Sequence, residues 1–324
     1  MMIEVLKAGL ETSIQDWPGR HGYWNQGFPP SGPMDSWSFR LANVLVGNEV
    51  SAAALECQYM GPTLKFLQET CIAITGADMR PLLDGEPQPM WQSLTVKAGQ
   101  TLTLQPPKMG VRTYIAVAGG IHTPPWLGSR ATFAKASVGG LDGHALRVGD
   151  RLAAGGAVIA AGRRISSAYR PPLIETSRSW EIEVVRGPND DWIDDAGHDT
   201  FLGSDWRLSG KSDRTGFRLE GPPFTFTHKA YDKAPENGSE PSNIIDQGYP
   251  IGGINIAGQT PIILVNDGPS MGGFINPYTV PSAAFWKLGQ SRPGDIYRFK
   301  AVSVEQAQAL ARELAARCTL DSLE

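Results

Sequence analysis

Turn-forming residues interrupt this chain so often that long helices have little room to form. The 324 residues include 37 Gly and 25 Pro, and the stretches between them are mostly short and rich in β-branched and aromatic side chains. Several stretches alternate apolar and polar residues, which is typical of half-buried strands. Such closely spaced turns favour barrels or sandwiches over βαβ winding. We therefore predict a mainly β fold, a β-rich α+β chain, with strands at IEVLKAG, CIAIT, QSLTV, TLTLQPP, VRTYIAVAGG, WEIEVV, FTFTH, IILVN and IYRFKAV.

Three segments carry the signals of helices. Asp35 is a candidate N-cap for SWSFRLANVLV, and Gly47 ends that run. The segment PNDDWIDDAG is a candidate short helix with acidic residues at its start. Ser303 and Gln306 have capping-box spacing before AQALARELAARC, which predicts a helix at the end of the chain.

The strand pattern is interrupted by arginines and prolines in AGRRISSAYRPPLIE, so we expect a domain boundary near residue 170. Residues 1–170 would form an N-terminal β-rich subdomain that contains the loop PPSGPMD and its helix. Residues 171–324 would form a C-terminal β-rich subdomain with the C-terminal helix.

Charge and cysteine usage narrow the class of protein. The formal net charge of -4 gives no electrostatic reason to bind nucleic acid or an anionic membrane. Three cysteines without C-x-x-C spacing are typical of reduced thiols, and the N-terminus MMIEVLKAGLETS lacks the apolar core of a signal peptide. We therefore predict a soluble cytoplasmic protein with no nucleic-acid or membrane partner.

Several common site classes find no support in the motifs. The Gly-Lys-Ser at 210–212 lacks the earlier glycine of a phosphate loop, because Asp205 occupies that position. Met-Lys-Met, the usual site of biotin attachment, and the G-x-S-x-G elbow of serine hydrolases are both missing from the sequence. The five histidines are scattered and none has metal-ligand spacing, so we predict no metal site.

The first candidate site is the loop PPSGPMD. Its prolines fix φ, and Gly32 permits a sharp backbone path. Ser31, the backbone of Met34 and the first amides of the following helix could then face one small pocket and stabilise an oxyanion. In the alternative interpretation, Asp35 only caps the helix and the prolines only shape the loop.

The second candidate site lies in the C-terminal half. The segments PSNIIDQGYPIGGINIAG and ILVNDGPSMGGF place carboxylate and amide side chains near glycines, which suits a small substrate with many hydrogen-bonding groups. The residues concerned are Asn243, Asp246, Gln247, Asn255, Asn266 and Asp267. Arg214, in SGKSDRTGFRLEG, is close in sequence to Asp213, and an Asp–Arg pair of this kind is more often structural than catalytic. Asp267-Gly268 is equally compatible with a plain turn.

Together these motifs resemble the biotin-dependent carboxyltransferase family. That family includes allophanate hydrolase subunit 2-like proteins, the C-subunit of 5-oxoprolinase, and subdomains A and B of the urea carboxylase carboxyltransferase region. The matching segments follow in order over nearly the whole chain, and DWPGRHGYW and PPSGPMD are more similar to the urea carboxylase branch. They are TSIQDWPGRHGYW, PPSGPMDSWSFRLANVLVGN, LEC, ITGAD, YIAVAGGI, GGLDGHALRVGD, KSDRTGFRLEG, PSNIIDQGYPIGGINIAGQTPIILVNDGPSMGGF and WKLGQSRPGD.

The resemblance implies a cyclophilin-like β-barrel character and two subdomains. It also implies an enzyme component that is active only in a complex with a companion subunit, which would have subdomains like C and D. A biotin carboxylase would use ATP, and a separate biotinyl carrier would deliver carboxybiotin. The carboxyl group would pass to a nitrogen of a small substrate such as urea or guanidine, in one sheltered cleft built by loops of both halves.

The resemblance assigns roles to particular residues. Asp246 and Asn243 would accept hydrogen bonds from substrate N–H groups, and Ser31 with the amides of Met34 and Asp35 would face the ureido or carboxylate oxygens. We expect Asp246, Ser31 and Asp35 to be catalytic. The remaining residues would bind substrate, with Arg214 and Lys287 holding negative charge and the glycines permitting close approach: Asn243, Gln247, Asn255, Asp267, Gly272, Gly273, Met34, Arg214 and Lys287.

One departure from the family pattern bears on the substrate. Urea carboxylases tend to have Asp-Asn where this chain has Asp246-Gln247, and the longer side chain would reshape the acceptor pocket. Two alternatives to a urea- or guanidine-type carboxylase therefore stay open. One is a component of an ATP-dependent amide hydrolase, like the C-subunit of 5-oxoprolinase. The other is a non-enzymatic regulator that binds a kinase inhibitor-like partner.

Overall fold

A computed structural model describes residues 2–155, 161–173 and 178–324. The chain divides into two compact units. The first unit contains residues 1–22, 30–175 and 314–324, and the second contains residues 23–29 and 176–313. A single cut near residue 170 does not describe this division, because the segment 23–29 groups with the second unit and the chain end groups with the first.

The first unit is built from two antiparallel sheets and one long helix, α1 (Ser36–Leu45). The seven-stranded sheet has the order β11-β12-β1-β4-β9-β6-β7, and the five-stranded sheet has the order β2-β3-β10-β5-β8. The strands are β1 (Met2–Lys7), β2 (Glu11–Gln15), β3 (Ala54–Gln58), β4 (Thr63–Phe66), β5 (Thr70–Gly76), β6 (Leu82–Leu83), β7 (Glu86–Pro87), β8 (Ser93–Val96), β9 (Thr101–Thr103), β10 (Arg112–Val117), β11 (Ile121–His122) and β12 (Arg151–Ala154).

One buried cluster joins the two sheets of the first unit. Ile3 and Leu64 come from the seven-stranded sheet, and Ile74 and Ile115 come from the five-stranded sheet. The residues between them in the five-stranded sheet point the other way, towards α1, where Phe39 meets Tyr114 edge to face with ring centroids 5.8 Å apart. This sheet is therefore buried on both faces, which explains why β5 and β10 are buried at every position.

The second unit is a closed barrel with the strand order β13-β20-β17-β18-β15-β14-β21. A separate two-stranded ribbon, β16 with β19, completes its sheet structure. The elements are β13 (Ser179–Arg186), α2 (Asp195–Gly203), β14 (Trp206–Leu208), β15 (Gly216–Glu220), α3 (His228–Tyr231), β16 (Asn243–Gly248), β17 (Gly253–Ala257), β18 (Thr260–Leu264), β19 (Met271–Phe274), β20 (Tyr278–Thr279), α4 (Phe285–Gln290), β21 (Ile296–Ala301) and α5 (Val304–Arg317), the last of which groups with the first unit from residue 314 onwards. Short 3-10 helices occur in both units, at Trp24–Gln26, Ala134–Ala136, Ser167–Tyr169, Asp190–Trp192, Pro235–Asn237, Ser282–Ala284 and Leu320–Ser322.

Aromatic side chains fill the interior of the barrel. Phe201 stacks on Phe299 and on Tyr278, with ring centroids 4.3 and 4.5 Å apart, and Trp206 stacks on Phe224. On β13 the buried residues alternate with the exposed or half-buried glutamates Glu181 and Glu183, as expected for a strand with one face in a core. The mainly β fold predicted from the sequence is confirmed, and a closed barrel is present.

The local helix signals gave two correct predictions. Asp35 caps α1 through its side chain, which accepts from the amide of Ser38. Ser303 and Gln306 form the predicted capping box, because the Ser303 amide donates to Gln306 Oε1 at 2.8 Å and the Gln306 amide donates to Ser303 Oγ at 3.2 Å.

One local prediction is wrong, and another is confirmed in part. The run FTFTH forms no strand beyond an isolated bridge from Phe226 to Ile193, and its last residue begins α3. Gly221, Pro222 and Pro223 directly precede the run, and proline removes the amide that a ladder needs. The segment PNDDWIDDAG contains a short 3-10 helix, Asp190–Trp192, with acidic residues in its first turn. The α-helix begins only at the end of the segment, where Asp194 caps α2 by accepting from the Gly197 amide at 2.8 Å.

The three cysteines are free thiols and all are buried. Burial raises the pKa of Cys318 to about 11. Among the described residues, no helix combines the length and the apolar character that a membrane span requires. Within the same residues, no group of three or more His, Cys, Asp or Glu side chains is arranged to hold a metal ion.

Candidate functional site

The loop that precedes α1, residues 30–35, is called the cap loop here. It follows a sharp path in which Ser31 and Gly32 both adopt left-handed backbone angles, with φ of 54° and 79°. The Gly32 amide donates to Gln15 Oε1 at 2.9 Å, and the Pro30 carbonyl accepts from the Arg20 amide at 2.7 Å. The loop is therefore held from both sides by the strand and turn that precede it.

The two amides predicted to face an oxyanion already have partners inside the first unit. The Met34 amide donates to the carboxylate of Glu56 at 2.8 Å, and the Asp35 amide donates to the phenol oxygen of Tyr114 at 2.8 Å. Tyr114 in turn donates to Glu56 at 2.8 Å. An oxyanion could take these amides only if both internal bonds were broken, so this geometry does not support the role predicted for them.

Asp35 behaves as a helix cap and is fully buried. Its carboxylate accepts from the amide of Ser38 at 3.0 Å and from the hydroxyl of Ser38 at 2.6 Å. Ser31 and Met34 are also buried, with 2% and 0% of their surface exposed. The described contacts of Asp35 thus match the alternative interpretation in which it closes the first turn of α1.

Strand register explains why Glu56 and Tyr114 meet below the cap loop. Glu56 lies opposite Tyr114 in the β3–β10 pairing, and Tyr114 lies opposite Thr75 in the β10–β5 pairing. Directly opposed residues on one face have neighbouring side chains. These three residues therefore form a polar row across the face of the sheet that packs on α1, and Thr75 completes it by donating to the Ser38 carbonyl at 2.7 Å.

The polar row carries a buried charge. Arg112 Nε lies 3.6 Å from Glu56 Oε1, and both side chains are less than 5% exposed. Burial raises the pKa of Tyr114 well above its usual value, and the nearby carboxylates of Glu56 and Asp35 add to the rise. The phenol is therefore fixed as a neutral donor and acceptor. Sequence reasoning missed Glu56 and Tyr114, although a Glu and a Tyr within otherwise apolar strands were a usable signal.

The second candidate region is the ribbon of β16 and β19, which is called the glycine ribbon here. Asn243 pairs with Phe274, and Gln247 pairs with Gly272, with an irregular register between them. Asp246 lies in this irregular stretch and is exposed. Among the described residues, none forms a hydrogen bond or an ion pair with the Asp246 carboxylate.

The two glycines predicted to allow close approach do so for protein atoms. A Cβ on Gly273 would lie 3.1 Å from Oδ1 of Asp246, and a Cβ on Gly272 would lie 2.8 Å from the ring of Tyr249. Tyr249 closes the ribbon, because its hydroxyl accepts from the Phe274 amide at 2.6 Å and donates to the Phe274 carbonyl at 3.2 Å. A side chain at Gly272 would therefore displace the Tyr249 ring, and a side chain at Gly273 would first meet the Ile244 carbonyl oxygen, 3.0 Å from its Cβ, and then Asp246.

A chain of hydrogen-bonded amide side chains links the ribbon to the barrel. Gln247 Nε2 donates to Asn189 Oδ1 at 2.6 Å, and the same oxygen accepts from the backbone amide of Asn276 at 2.8 Å. Asn276 Nδ2 donates to Asn255 Oδ1 at 3.1 Å, and both of these side chains are buried. Asn255 therefore supports the ribbon from the barrel. The acceptor oxygen of Gln247 has no hydrogen-bond partner among the described residues.

The aromatic segment 23–29, which belongs to the second unit, contacts the end of the glycine ribbon. Trp24 Nε1 donates to the backbone carbonyl of Tyr249 at 2.9 Å. Burial raises the pKa of Tyr249, so its hydroxyl stays protonated. The rigid aromatic stretch of the N-terminal half thus supplies a side chain that fixes the backbone at the end of the ribbon.

The predicted cationic residues are paired with carboxylates. Arg214 Nε lies 2.9 Å from Asp267 Oδ2, and a second contact at 3.4 Å reaches Oδ1, with both side chains largely buried. Lys287 Nζ lies 2.7 and 2.8 Å from the two carboxylate oxygens of Glu183 and donates to the Glu181 carbonyl. These contacts agree with the structural interpretation of an Asp–Arg pair.

The twelve predicted residues thus fall into separate groups. Ser31, Met34 and Asp35 belong to the first unit, and the other nine belong to the second. In the second unit, Asn243, Asp246, Gln247, Gly272 and Gly273 share the ribbon and Asn255 braces it. Arg214 pairs with Asp267, and Lys287 pairs with Glu183. The exposed Asp246 carboxylate and the half-buried amides of Asn243 and Gln247 are therefore the strongest candidates to meet a small donor-rich ligand.

Comparison with known proteins identifies the family to which this chain belongs. The family described as carboxyltransferase domain, subdomain A and B, matches residues 26–301. The chain belongs to this family, as the sequence motifs predicted.

Individual relatives place the chain more closely. It is 40% identical over 315 residues to a urea amidolyase of Saccharomyces cerevisiae, covering 95% of this chain and 17% of that protein. The structure of the Kluyveromyces lactis urea carboxylase superposes with a TM-score of 0.92 at 37% identity, over 98% of this chain and 29% of that one. The 5-oxoprolinase C-subunit of Escherichia coli is 34% identical over 308 residues, covering 94% of this chain and 93% of that protein.

The coverage differs sharply between these relatives. The chain spans only 17% of the length of the yeast urea amidolyase, whereas it spans nearly the whole of the bacterial 5-oxoprolinase C-subunit. The relatives are therefore either much larger proteins or proteins named as one subunit of an enzyme. Partner domains or subunits are a common feature of this group.

Proposed function

We propose that this chain is the carboxyltransferase component of a biotin-dependent carboxylase that acts on a urea- or guanidine-type nitrogen. Support comes from the family, from the 40% identity to a urea amidolyase and from the TM-score of 0.92 with a urea carboxylase. The observation that carries the proposal is the exposed Asp246 carboxylate on the glycine ribbon, which no described side chain neutralises. Activity would require a companion carboxyltransferase subunit.

Asp246 accepts a hydrogen bond from a substrate N–H and orients that nitrogen. Gln247 adds a second acceptor, because its amide nitrogen is held by Asn189 and its oxygen is left for a ligand. Asn243 offers a further amide at the other end of the ribbon. Urea and guanidine present several N–H groups in one plane, so a short row of acceptors on one ribbon suits them.

The ribbon also offers an apolar surface that would suit the thioether ring and hydrocarbon chain of biotin. Ile245, Met271 and Phe274 are 61%, 60% and 37% exposed, although all three are large and apolar. An exposed apolar surface beside a carboxylate is suited to a ligand with an apolar body and polar edges. Carboxybiotin, delivered by a separate carrier after an ATP-using partner has charged it, would supply the activated carboxyl group.

The cap loop has a supporting role in this proposal. Its buried amides are held by Glu56 and Tyr114, and Asp35 closes α1. Catalysis depends on side chains held within fractions of an ångström by such supporting contacts. Ser31, Met34 and Asp35 therefore contribute rigidity. Arg214, Asp267 and Lys287 contribute fixed charge pairs.

The decisive experiment is reconstitution with the companion subunit, biotin carboxylase and biotinyl carrier. ATP turnover is measured with urea, guanidine and 5-oxoproline as substrates. We expect biotin-dependent turnover with urea or guanidine, and we expect Asp246→Ala to lower it at least 100-fold because an acceptor at the reacting nitrogen is lost.

The matched control is Asp232→Ala, which removes another exposed carboxylate of the second unit. It should retain wild-type turnover and affinity for the companion. Turnover of Asp246→Ala near that of the wild type, with intact assembly, would contradict the acceptor role.

A second candidate function is a component of an ATP-dependent 5-oxoprolinase. The observation that favours it is the 34% identity that extends over 93% of the E. coli 5-oxoprolinase C-subunit. The same reconstitution separates the two functions. ATP hydrolysis that requires 5-oxoproline and is insensitive to avidin favours the 5-oxoprolinase component, whereas avidin-sensitive turnover with urea or guanidine favours the carboxylase.

A further inference from the structure

A cavity of about 780 Å³ opens in the first unit. It lies between the turn 78–82, the stretch 87–91, the loop 105–109 and residues 170–173. None of the residues assigned a role above lines it. Its volume lies within the range of sites that hold small organic molecules.

Backbone hydrogen bonds hold one wall of the cavity in place. The Asp78 amide donates to the Met109 carbonyl at 3.0 Å, and the Lys108 amide donates back to the Asp78 carbonyl at 2.8 Å. The Gln105 amide donates to the Met79 carbonyl at 2.8 Å. The turn and the loop are therefore joined by three backbone hydrogen bonds, and this wall is held in place by the protein's own contacts.

The opposite wall is built around Trp91. Its amide donates to the Ile74 carbonyl at 2.8 Å, and its carbonyl accepts from the Ile165 amide at 3.0 Å. Trp91 has a φ of 61°, an unfavourable angle for a bulky residue, and its side chain is 9% exposed. Its indole N–H has no hydrogen-bond partner among the described residues. The backbone thus holds a large apolar ring and a spare donor at the cavity.

Two guanidinium groups give the cavity its charge. Arg80 Nη2 donates to the Pro106 carbonyl at 3.1 Å. Arg170 donates to the Ile165 carbonyl from Nε at 3.0 Å and from Nη2 at 2.5 Å, which leaves its Nη1 donors for a ligand. The Arg170 guanidinium also lies 5.8 Å from the Trp91 ring centroid. Within the described part of the chain, neither arginine has a carboxylate within 4 Å. Burial lowers the pKa of Arg170, and the more distant Glu324 carboxylate acts to raise it. The Asp78 carboxylate also lines the cavity, and it accepts from the Arg80 amide at 3.0 Å.

We propose that this cavity binds a small carboxylate with an aromatic or aliphatic body. The two guanidiniums and the indole N–H are donors for the carboxylate, since arginine binds planar anions with charge-assisted bonds. Trp91, Met90, Met109 and Leu82 supply an apolar surface for the rest of the molecule. A purely polar groove would not need the aromatic ring, and a purely apolar groove would not need two guanidiniums, neither of which has a described carboxylate within 4 Å.

The test uses 4-phenylbutanoate and its neutral analogue 4-phenylbutanamide as probes, titrated calorimetrically into the intact chain. We expect the carboxylate to bind at least 10-fold more tightly than the amide. Arg80→Gln and Arg170→Gln should each weaken binding of the carboxylate at least fivefold and leave the amide unaffected. The matched control is Arg147→Gln, which removes an exposed arginine of the same unit that does not line the cavity.

Thermal melts of each variant verify the fold, and Arg80→Gln keeps the test decisive if Arg170→Gln unfolds, because the Arg80 side chain is exposed. No binding of 4-phenylbutanoate at 10 mM (roughly the weakest affinity a site of this kind needs) would overturn the proposal. Equal binding of the two probes, or an equal loss of affinity in Arg147→Gln, would also overturn it.

Discussion

The cap loop and the glycine ribbon are both rich in polar groups, but those groups are used differently. In the cap loop, the amides of Met34 and Asp35 and the carboxylate of Asp35 all bond to buried protein groups. In the ribbon, the carboxylate of Asp246 and the oxygen of Gln247 have no such partner among the described residues. The sequence offers polar groups in both regions, and only the hydrogen bonds in the structure distinguish a supporting loop from a candidate binding surface.

This difference teaches how to rank polar residues around a site. A buried polar group that is already bonded contributes to stability, and removing it leaves its partner unsatisfied. An exposed polar group that rigid neighbours hold in place contributes little to stability and is available to a ligand. Substitutions in the two regions should therefore act on different quantities. The following predictions test the effect of buried, bonded groups on stability, first below the cap loop and then in the second unit, from the largest expected change in stability to the smallest.

The largest effect is expected for Glu56→Ala. The substitution removes a buried carboxylate that accepts from Met34 and Tyr114 and leaves Arg112 without its charge partner. Loss of one member of a buried ion pair costs about 3–5 kcal/mol of unfolding free energy. Scanning calorimetry measures it without urea or guanidinium, which resemble the proposed substrates. The exposed Glu49 provides the control, since Glu49→Ala should change stability by less than about 0.5 kcal/mol.

A smaller effect is expected for the Arg214–Asp267 pair. Both side chains are largely buried, so a double-mutant cycle with Arg214→Ala and Asp267→Ala should give a coupling energy of about 1–3 kcal/mol. The exposed pair Arg298–Asp205 is the comparison, with an expected coupling below about 1 kcal/mol. A coupling for Arg214–Asp267 no larger than that of the exposed pair would return Arg214 to the list of substrate ligands.

The third prediction concerns pH and the interior of the barrel. Burial lowers the pKa of His198, and the nearby Arg186 lowers it further. The folded state therefore resists a proton that the unfolded chain accepts below about pH 6.5, so stability falls as pH drops through that range. His198→Gln should reduce this slope by up to one proton. His228→Gln, which changes an exposed histidine, should leave the slope at its wild-type value. An unchanged slope in His198→Gln would contradict the lowered pKa.

The fold was predictable where its signals are local. The Asp35 cap and the Ser303–Gln306 box each lie within three residues along the chain, and both follow from backbone amides that need partners at a helix start. The strands at CIAIT and WEIEVV were predictable from composition and period. FTFTH is also rich in aromatic and β-branched residues, but it pairs with no neighbouring strand beyond one isolated bridge. Composition alone does not reveal whether a partner strand is present.

For the candidate site, the sequence indicates residue types but not the contacts that those residues make. The segments around Asn243 and Gly272, which we predict to supply polar groups and glycines, share one ribbon, and their role in binding stays a prediction. The partners of the other residues lie far away in sequence: Met34 bonds to a carboxylate 22 positions on, Arg214 to one 53 positions on, and Lys287 to one 104 positions back. Such pairs depend on strand register, which sequence patterns do not specify across several intervening strands.

The most direct test of this comparison is hydrogen exchange of the companion-bound chain, with and without the substrate that supports turnover. Our account predicts that substrate slows exchange at the backbone amides of the glycine ribbon, Asn243–Gly248 and Met271–Phe274, and leaves the amides of residues 31–35 unchanged. Slower exchange at Met34 and Asp35, with an unaffected ribbon, would contradict it.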